Sequence, residues 1–539
     1  MSKELETAEA FLAQKKYQEC HQLCMSVINK YAQSAQAGYD QPEAKQSAAK
    51  ALFLLAVLAS EHGNHAKAVD VFEKALSLDQ TRPEFYAHYA KNLLILSRRT
   101  EALSQADKAA SLSPTDQHTL DTLGVVYSRS GLHKKAESFY SEALNAGKPT
   151  ADILYNYATT IQFLGNLGRA KELYEQVIEL NPDHVRAWSA LTMLEKQTVE
   201  KNNIARLEAS FAKTGGTADT QLADTRLNLG HAIAKSYEDI GELSKSIDWL
   251  EQAKKLKKGE LNYEIEVDQP MFAAAMRSAE MPISSVAPNS KSPIFVVGLP
   301  RTGTTLIDRI ISSHSKVDSV GELSDFAVAL KRQLKTSAAY VVDEETILAA
   351  LKTDLHAVGR AYRDSVSALF SSSGRSLDKM PLNFLSSALI VSAIPDAKVI
   401  CVRRNPADTI LSNYRQLFAT QFSYYNYTLD LKTCAQYYVE FDRLIAAFAD
   451  NLPKKSFLQV HYEDVVRNID AQARRMIEFC ELDWEDACVN FQDNDAPVAT
   501  ASSAQVRAPL YSSSIGRWRK VKDEIRAAID VLEEAQIDY

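Results

Sequence analysis

The sequence predicts two domains of different class: an all-α helical-repeat solenoid, then an α/β domain with a mostly parallel central sheet. Three observations predict this. Small residues recur every 34 residues through the first third of the chain. A continuous apolar run at 293–298 (PIFVVG) opens into a glycine-containing loop and then an amphipathic helix. A second strand-to-helix unit of the same kind begins at Ala397.

In the solenoid, Ala68, Ala102, Ala136 and Ala170 mark one position, and Ala75, Ala109, Ala143 and Val177 a second. Phe72, Ala106, Tyr140 and Tyr174 lie between them. Small side chains let two helices approach closely, and the aromatic fills the gap beside them. Gly63, Ser97, Gly131 and Gly165 precede each unit where a turn must separate helices, and Pro114 and Pro182 fall where a second helix should end. This pattern resembles the tetratricopeptide repeat (TPR), in register over four units from about Ala49 to His184. A looser unit at Gly241, Leu250 and Ala253 is out of phase, so an insertion is expected within 191–226. Residues 4–33 have the composition of a helical pair, a degenerate repeat or a cap. The resemblance implies a TPR domain over 1–258 whose concave surface binds a protein or peptide partner; a self-association scaffold is the alternative.

Composition bounds the function. The 539 residues are 46% hydrophobic and 24% charged, with a net charge of −8 and no long basic run. Nucleic acid is therefore not an expected partner. No segment has the apolar core of a signal peptide or the length of a membrane span. The six cysteines are scattered, and Cys20 and Cys24 lie one helical turn apart, which suits a buried helix face better than a zinc site. All six are expected to be reduced and structural, in a cytoplasmic protein.

After Lys258 the helical period fades, and residues 281–292 (MPISSVAPNSKS) read as loop, so 259–291 is expected to be a linker and 292–539 the second domain. Its first strand leads into Leu299–Thr305 and the helix around Leu306–Ile311. That geometry aims backbone N–H groups and a helix N-terminus at an anion. Gly298, Gly303 and Thr305 match the Walker pattern, but Thr304 stands where its lysine would be. The loop is P-loop-like without the group that serves a β/γ-phosphate, which disfavours ATP or GTP hydrolysis. Arg301 is the cation inside the loop. In the second unit, residues 397–402 run as a strand into Arg403 and Arg404, and a helix is expected from Asp408 to Leu417. Ser412 lies two helical turns beyond Arg404, so a guanidinium and a hydroxyl can share one phosphate. A surface ion-pair cluster is the alternative.

Taken together, GLPRTGTTL (298–306), Gly321-Glu322, DKMP (378–381), VRRNP (402–406), Ser412, Tyr462-Glu463, SSAQVR (502–507) and Arg517-Trp518 resemble the sulfotransferases that use 3′-phosphoadenosine 5′-phosphosulfate (PAPS). They are most like the tyrosylprotein sulfotransferases. The resemblance implies that Arg301, Thr302, Gly303, Thr304 and Thr305 hold the 5′-phosphosulfate, and that Arg404 and Ser412 hold the 3′-phosphate. Tyr462, Ser502, Arg507 and Arg517 are implied as further nucleotide contacts. Glu322 is implied as general base, from a strand end or loop beside the first strand, and Lys379 and Arg301 as cations facing the transferred group. No metal is expected. Arg403 is expected to be structural.

The lumenal members carry cysteines where this chain has Val320 and Leu377, and an arginine where it has Asp325. Three readings stay open: sulfation of a protein or peptide tyrosine, sulfation of a small molecule, glycan or lipid, and a non-catalytic nucleotide-binding scaffold.

Overall fold

The computed structural model describes residues 3–38, 41–214, 220–283, 291–336, 341–369, 374–420, 423–494 and 514–539. The chain divides into two compact units, Met1–Leu173 and Tyr174–Tyr539.

The first unit is a run of helical pairs. It opens with Lys3–Ala13 and Tyr17–Gln36, then Pro42–Glu61 with His65–Leu78, Pro83–Ile95 with Arg99–Ser111, and Gln117–Arg129 with His133–Ala146, followed by Ala151–Phe163. Ala68, Ala102 and Ala136 are fully buried, with Phe72 and Tyr140 packed beside them. The turn positions Gly63, Gly131 and Gly165 have φ of 74°, 82° and 89°, and Ser97 has 57°. The backbone reverses there in the left-handed region that glycine enters without strain. Cys20 and Cys24 are buried, and all six cysteines are free thiols.

The second unit begins with repeat-like helices, Val185–Leu194, Ile204–Ala212, and the long pair Thr220–Asp239 and Leu243–Leu261. The helix at 204–212 falls within the stretch where the repeat register predicts an insertion. The stretch read as a linker at 259–291 is not uniformly loop: Gln269–Ser278 is a helix. Its Phe272 is fully buried, 5.0 Å from the Tyr437 ring and 6.1 Å from Phe384. Ten residues with three alanines carry too little periodic signal to be read as a helix from sequence alone, and the aromatic contact is long-range.

Among the described residues the sheet has five strands, β1 Ile294–Gly298, β2 Val317–Gly321, β3 Arg375–Asp378, β4 Lys398–Arg403 and β5 Phe457–His461. Their order is β2-β3-β1-β4-β5, and each neighbouring pair is parallel. Helices cover both faces, so the strands are apolar on both sides. Phe295, Val297, Val399 and Cys401 point into one core, which includes Phe272, Phe384 and Phe441. Their neighbours Ile294, Val296, Ile400 and Val402 point into the other, with Leu306, Ile307 and Ile310. This two-sided burial is why the run at 293–298 does not alternate. Among the described residues, no helix is long and apolar enough to cross a membrane.

Candidate active site

The loop after β1 is held open by backbone geometry. Gly298 has φ of 145°, and a Cβ there would lie 2.5 Å from the Val402 carbonyl oxygen. Gly303 has φ of 102°, and its Cβ would lie 2.5 Å from Tyr462 Cδ2. Arg301 also sits at positive φ, 65°, an uncommon conformation for a residue other than glycine. Thr302 Oγ1 donates to the Leu299 carbonyl at 2.7 Å, and Asn413 Nδ2 donates to the Pro300 carbonyl at 2.8 Å. The helix Thr304–Ser312 starts directly after Gly303, and Thr304 and Thr305 are buried in its first turn. Its first N–H groups therefore face the loop interior.

The second cluster forms at the end of β4. Arg404 Nη1 donates to the Arg301 carbonyl at 3.0 Å and to Ser412 Oγ at 3.3 Å. Nη2 donates to the Ser514 carbonyl at 2.5 Å. The guanidinium carbon lies 5.2 Å from the Tyr462 ring centroid, and the Tyr462 and Ser514 hydroxyls are 3.1 Å apart. Arg404 Nε is buried and has no hydrogen-bond partner among the described residues. Buried polar atoms are nearly always paired, so this orphan fits a site that takes an anion. Ser412 lies on the helix Pro406–Tyr414, which ends before the expected Leu417. Asn405 caps it by accepting from the Asp408 N–H at 3.1 Å, and Glu463 accepts from the Asn405 N–H at 2.9 Å. Arg403 faces away and pairs with Asp442.

At the other end of the loop, Lys379 and Glu322 form an ion pair. Glu322 follows β2, yet β3 stands between β2 and β1, so the carboxylate is not next to the first strand as expected. It reaches the site because β3 delivers Lys379 beside it. Lys379 is 1% exposed, whereas the Glu322 side chain is 38% exposed. Behind them Asp308, buried on the helix Thr304–Ser312, accepts from Ser319 Oγ at 2.7 Å. Burial pushes its pKa up, and Lys379 pulls it back down. Burial also raises the Tyr425 phenol, with the Glu322 charge adding to the shift.

The structure thus brings Arg301, Thr302, Gly303, Thr304, Thr305, Arg404, Ser412 and Tyr462 around one loop, with Lys379 and Glu322 paired beside it. Arg517 is turned elsewhere: its Nη2 lies 2.5 Å from Glu238 Oε1. Ser502 and Arg507 lie outside the described residues. Asp308, Asn413 and Asp408 escaped the sequence reading. Asn413 adjoins Ser412, and Asp308 is a charge on an otherwise apolar helix face; those were the available signals.

The anion loop, the second cationic cluster and the Lys–Glu pair all lie at the carboxyl ends of the parallel strands, the end at which open α/β sheets bind ligands. Residues 293–486 match the family model described as Sulfotransferase family, and residues 49–82 and 151–184 match the tetratricopeptide repeat. The chain carries TPR units in its N-terminal half and a sulfotransferase-family domain in its C-terminal half. It is 27% identical over 485 residues to an uncharacterized protein of Aquifex aeolicus (strain VF5), covering 87% of this chain and 57% of the relative. It is 24% identical over 243 residues to protein-tyrosine sulfotransferase A of Caenorhabditis elegans, covering 43% of this chain and 62% of the relative. The chain spans less than two thirds of the length of either curated relative. The solved sulfotransferase domain from the curacin biosynthetic pathway aligns over 47% of this chain and 99% of that chain, with 17% identity and a TM-score of 0.32.

Proposed function

We propose that the domain at 292–539 transfers a sulfuryl group from PAPS to an acceptor hydroxyl, a protein or peptide tyrosine, and that the repeats of 1–258 recruit the substrate or a partner. One observation carries the reading: a cationic grip with an unsatisfied buried Nε at Arg404 and a Lys379–Glu322 pair flank the same loop. Two anionic groups of one donor need two grips of this kind. When bound, the donor supplies an activated sulfuryl group and leaves as an adenosine bisphosphate.

The chain's residues divide the remaining work. The loop N–H groups, Thr304 and Thr305 bind the 5′ side, and Arg404 with Ser412 binds the 3′-phosphate. Lys379 and Arg301 offset charge that grows on the leaving side. The Glu322 carboxylate takes the acceptor's proton; its exposure beside a buried lysine suits a base that an acceptor must reach. Tyrosine as acceptor is supported by the C. elegans relative, whose name states that activity. Asp325, in the first turn of the helix Asp325–Leu334 just after Glu322, favours a second reading. A carboxylate there opposes acidic peptide flanks, so a small molecule, glycan or lipid is the alternative acceptor.

The experiment is transfer of ³⁵S from labelled PAPS into a cell lysate by the full chain. Label in protein hydrolysates as sulfotyrosine supports the first reading, and label in small molecules or lipids the second. Calorimetric preference for ATP over adenosine 3′,5′-bisphosphate would remove both.

A further inference from the structure

We propose that Glu238, on the repeat-side helix Thr220–Asp239, is a positioning residue that fixes the grip formed by Arg404 and Ser412. The proposal rests on the reading that this grip takes the donor's 3′-phosphate.

The Glu238 side chain is 15% exposed and sits between two guanidinium groups, those of Arg415 and Arg517. Each arginine is the end of an arm of the grip. Arg415 caps the helix Pro406–Tyr414, which carries Ser412, and its N–H donates to the Leu411 carbonyl at 3.0 Å. Arg517 opens the short helix Arg517–Val521, three residues after Ser514. Ser514 is the residue whose carbonyl receives Arg404 Nη2 and whose hydroxyl meets Tyr462. Asp408 ties the two arms together from within, accepting from the Gly516 N–H at 2.6 Å and the Trp518 N–H at 3.0 Å. Four contacts and two three-residue stretches of chain close a ring: Arg404, Ser514, along the chain to Arg517, Glu238, Arg415, along the chain to Ser412 and back to Arg404.

Two guanidinium groups held this close repel one another. Burial and then the Arg517 charge lower Arg415 to about 9. The carboxylate between them offsets both charges, and a buried pair that loses one partner leaves an uncompensated charge behind. Without Glu238 the arms separate, and Arg404 loses either Ser412 or Ser514. Apart from Ser246, the surrounding wall is apolar, with Leu243 and Ile247 from the repeat side and Leu411 and Val521 opposite them. Among the described residues that line it, Glu238 is the carboxylate. The phosphate grip therefore depends on a helix that belongs, by sequence register, to the repeats.

The test is calorimetry on the full chain with adenosine 3′,5′-bisphosphate and with adenosine 5′-monophosphate. Glu238→Gln should weaken the bisphosphate by at least about fivefold while changing the monophosphate by less than about twofold. A role confined to folding would move both ligands together, and that outcome overturns the proposal, as does an unchanged ratio. Ser244→Ala removes a contact to Glu524 across the same wall. It should leave the ratio intact; an equal shift would assign the effect to the whole wall and not to Glu238. If Glu238→Gln does not yield folded protein, Glu238→Asp decides by the same ratio, since it keeps the charge and shortens the reach. A wild-type chain that fails to prefer the bisphosphate would instead sink the functional reading above.

Discussion

Lys379 and Glu322 are ion-paired across the carboxyl ends of two neighbouring parallel strands, with the lysine sealed in and the carboxylate open to the site. Glu322→Gln keeps the size and removes the base. It should lower single-turnover sulfuryl transfer by about 10²–10⁴-fold. Adenosine 3′,5′-bisphosphate affinity should stay within about twofold, because the carboxylate touches neither phosphate grip. Undiminished transfer would remove Glu322 from the chemistry.

Arg404 uses the planar fork of its guanidinium, with Nη1 and Nη2 on different partners and Nε left over. A lysine keeps the charge and loses the fork. Arg404→Lys should weaken adenosine 3′,5′-bisphosphate by roughly tenfold or more, with a smaller loss for adenosine 5′-monophosphate. Equal losses, read by calorimetry, would argue that Arg404 only supports the fold.

Gly298→Ala would set a methyl group 2.5 Å from the Val402 carbonyl oxygen, at a φ of 145°. The obstacle is backbone of the adjacent strand, which cannot swing aside. A cost of about 1–3 kcal/mol is expected, from strained φ and a displaced β4. It should appear as a lowered melting temperature for the transition that nucleotide raises, and as weaker nucleotide binding.

His88 and His133 lie in the first unit, and burial lowers their pKa values to about 3 and about 4. An unfolded chain takes up these protons near pH 6.5, whereas the folded unit refuses them. The unfolded state then binds more protons, so stability falls as pH drops from about 6.5 toward 4. Urea denaturation across that window should show the loss, and His133→Gln should flatten part of the slope. A flat profile in the wild type would contradict the burial argument.

Legibility in the sequence followed the range of each interaction. The repeat was readable because Ala68, Ala102 and Ala136 meet partners within one helical pair, and the turn positions between pairs keep a fixed spacing. The Arg404–Ser412 pair was readable because Arg404 precedes the cap of the short helix that carries Ser412. The sheet order was not: a strand's neighbour is set by tertiary packing, so nothing near Glu322 announced that β3 would stand between it and β1. The pairing of Arg517 with Glu238 was not readable for the same reason. Glu238 lies in a distant helix, and no periodicity reports a pairing across that range. The helix Gln269–Ser278 hid because its anchor, Phe272, finds Phe384 and Tyr437 only in the finished core.

The helices at 220–261 and 269–278 lie in the same compact unit as the sheet, which limits how such a chain can be recombined. A graft that began at Ser292 would strip Phe272 from its aromatic partners and remove Glu238 from between Arg415 and Arg517. Exchange of repeats among related chains should therefore be tolerated upstream of Tyr174 and penalised beyond it. The heritable cassette is larger than the catalytic signature, and its border falls inside the run of helices rather than at the run's end.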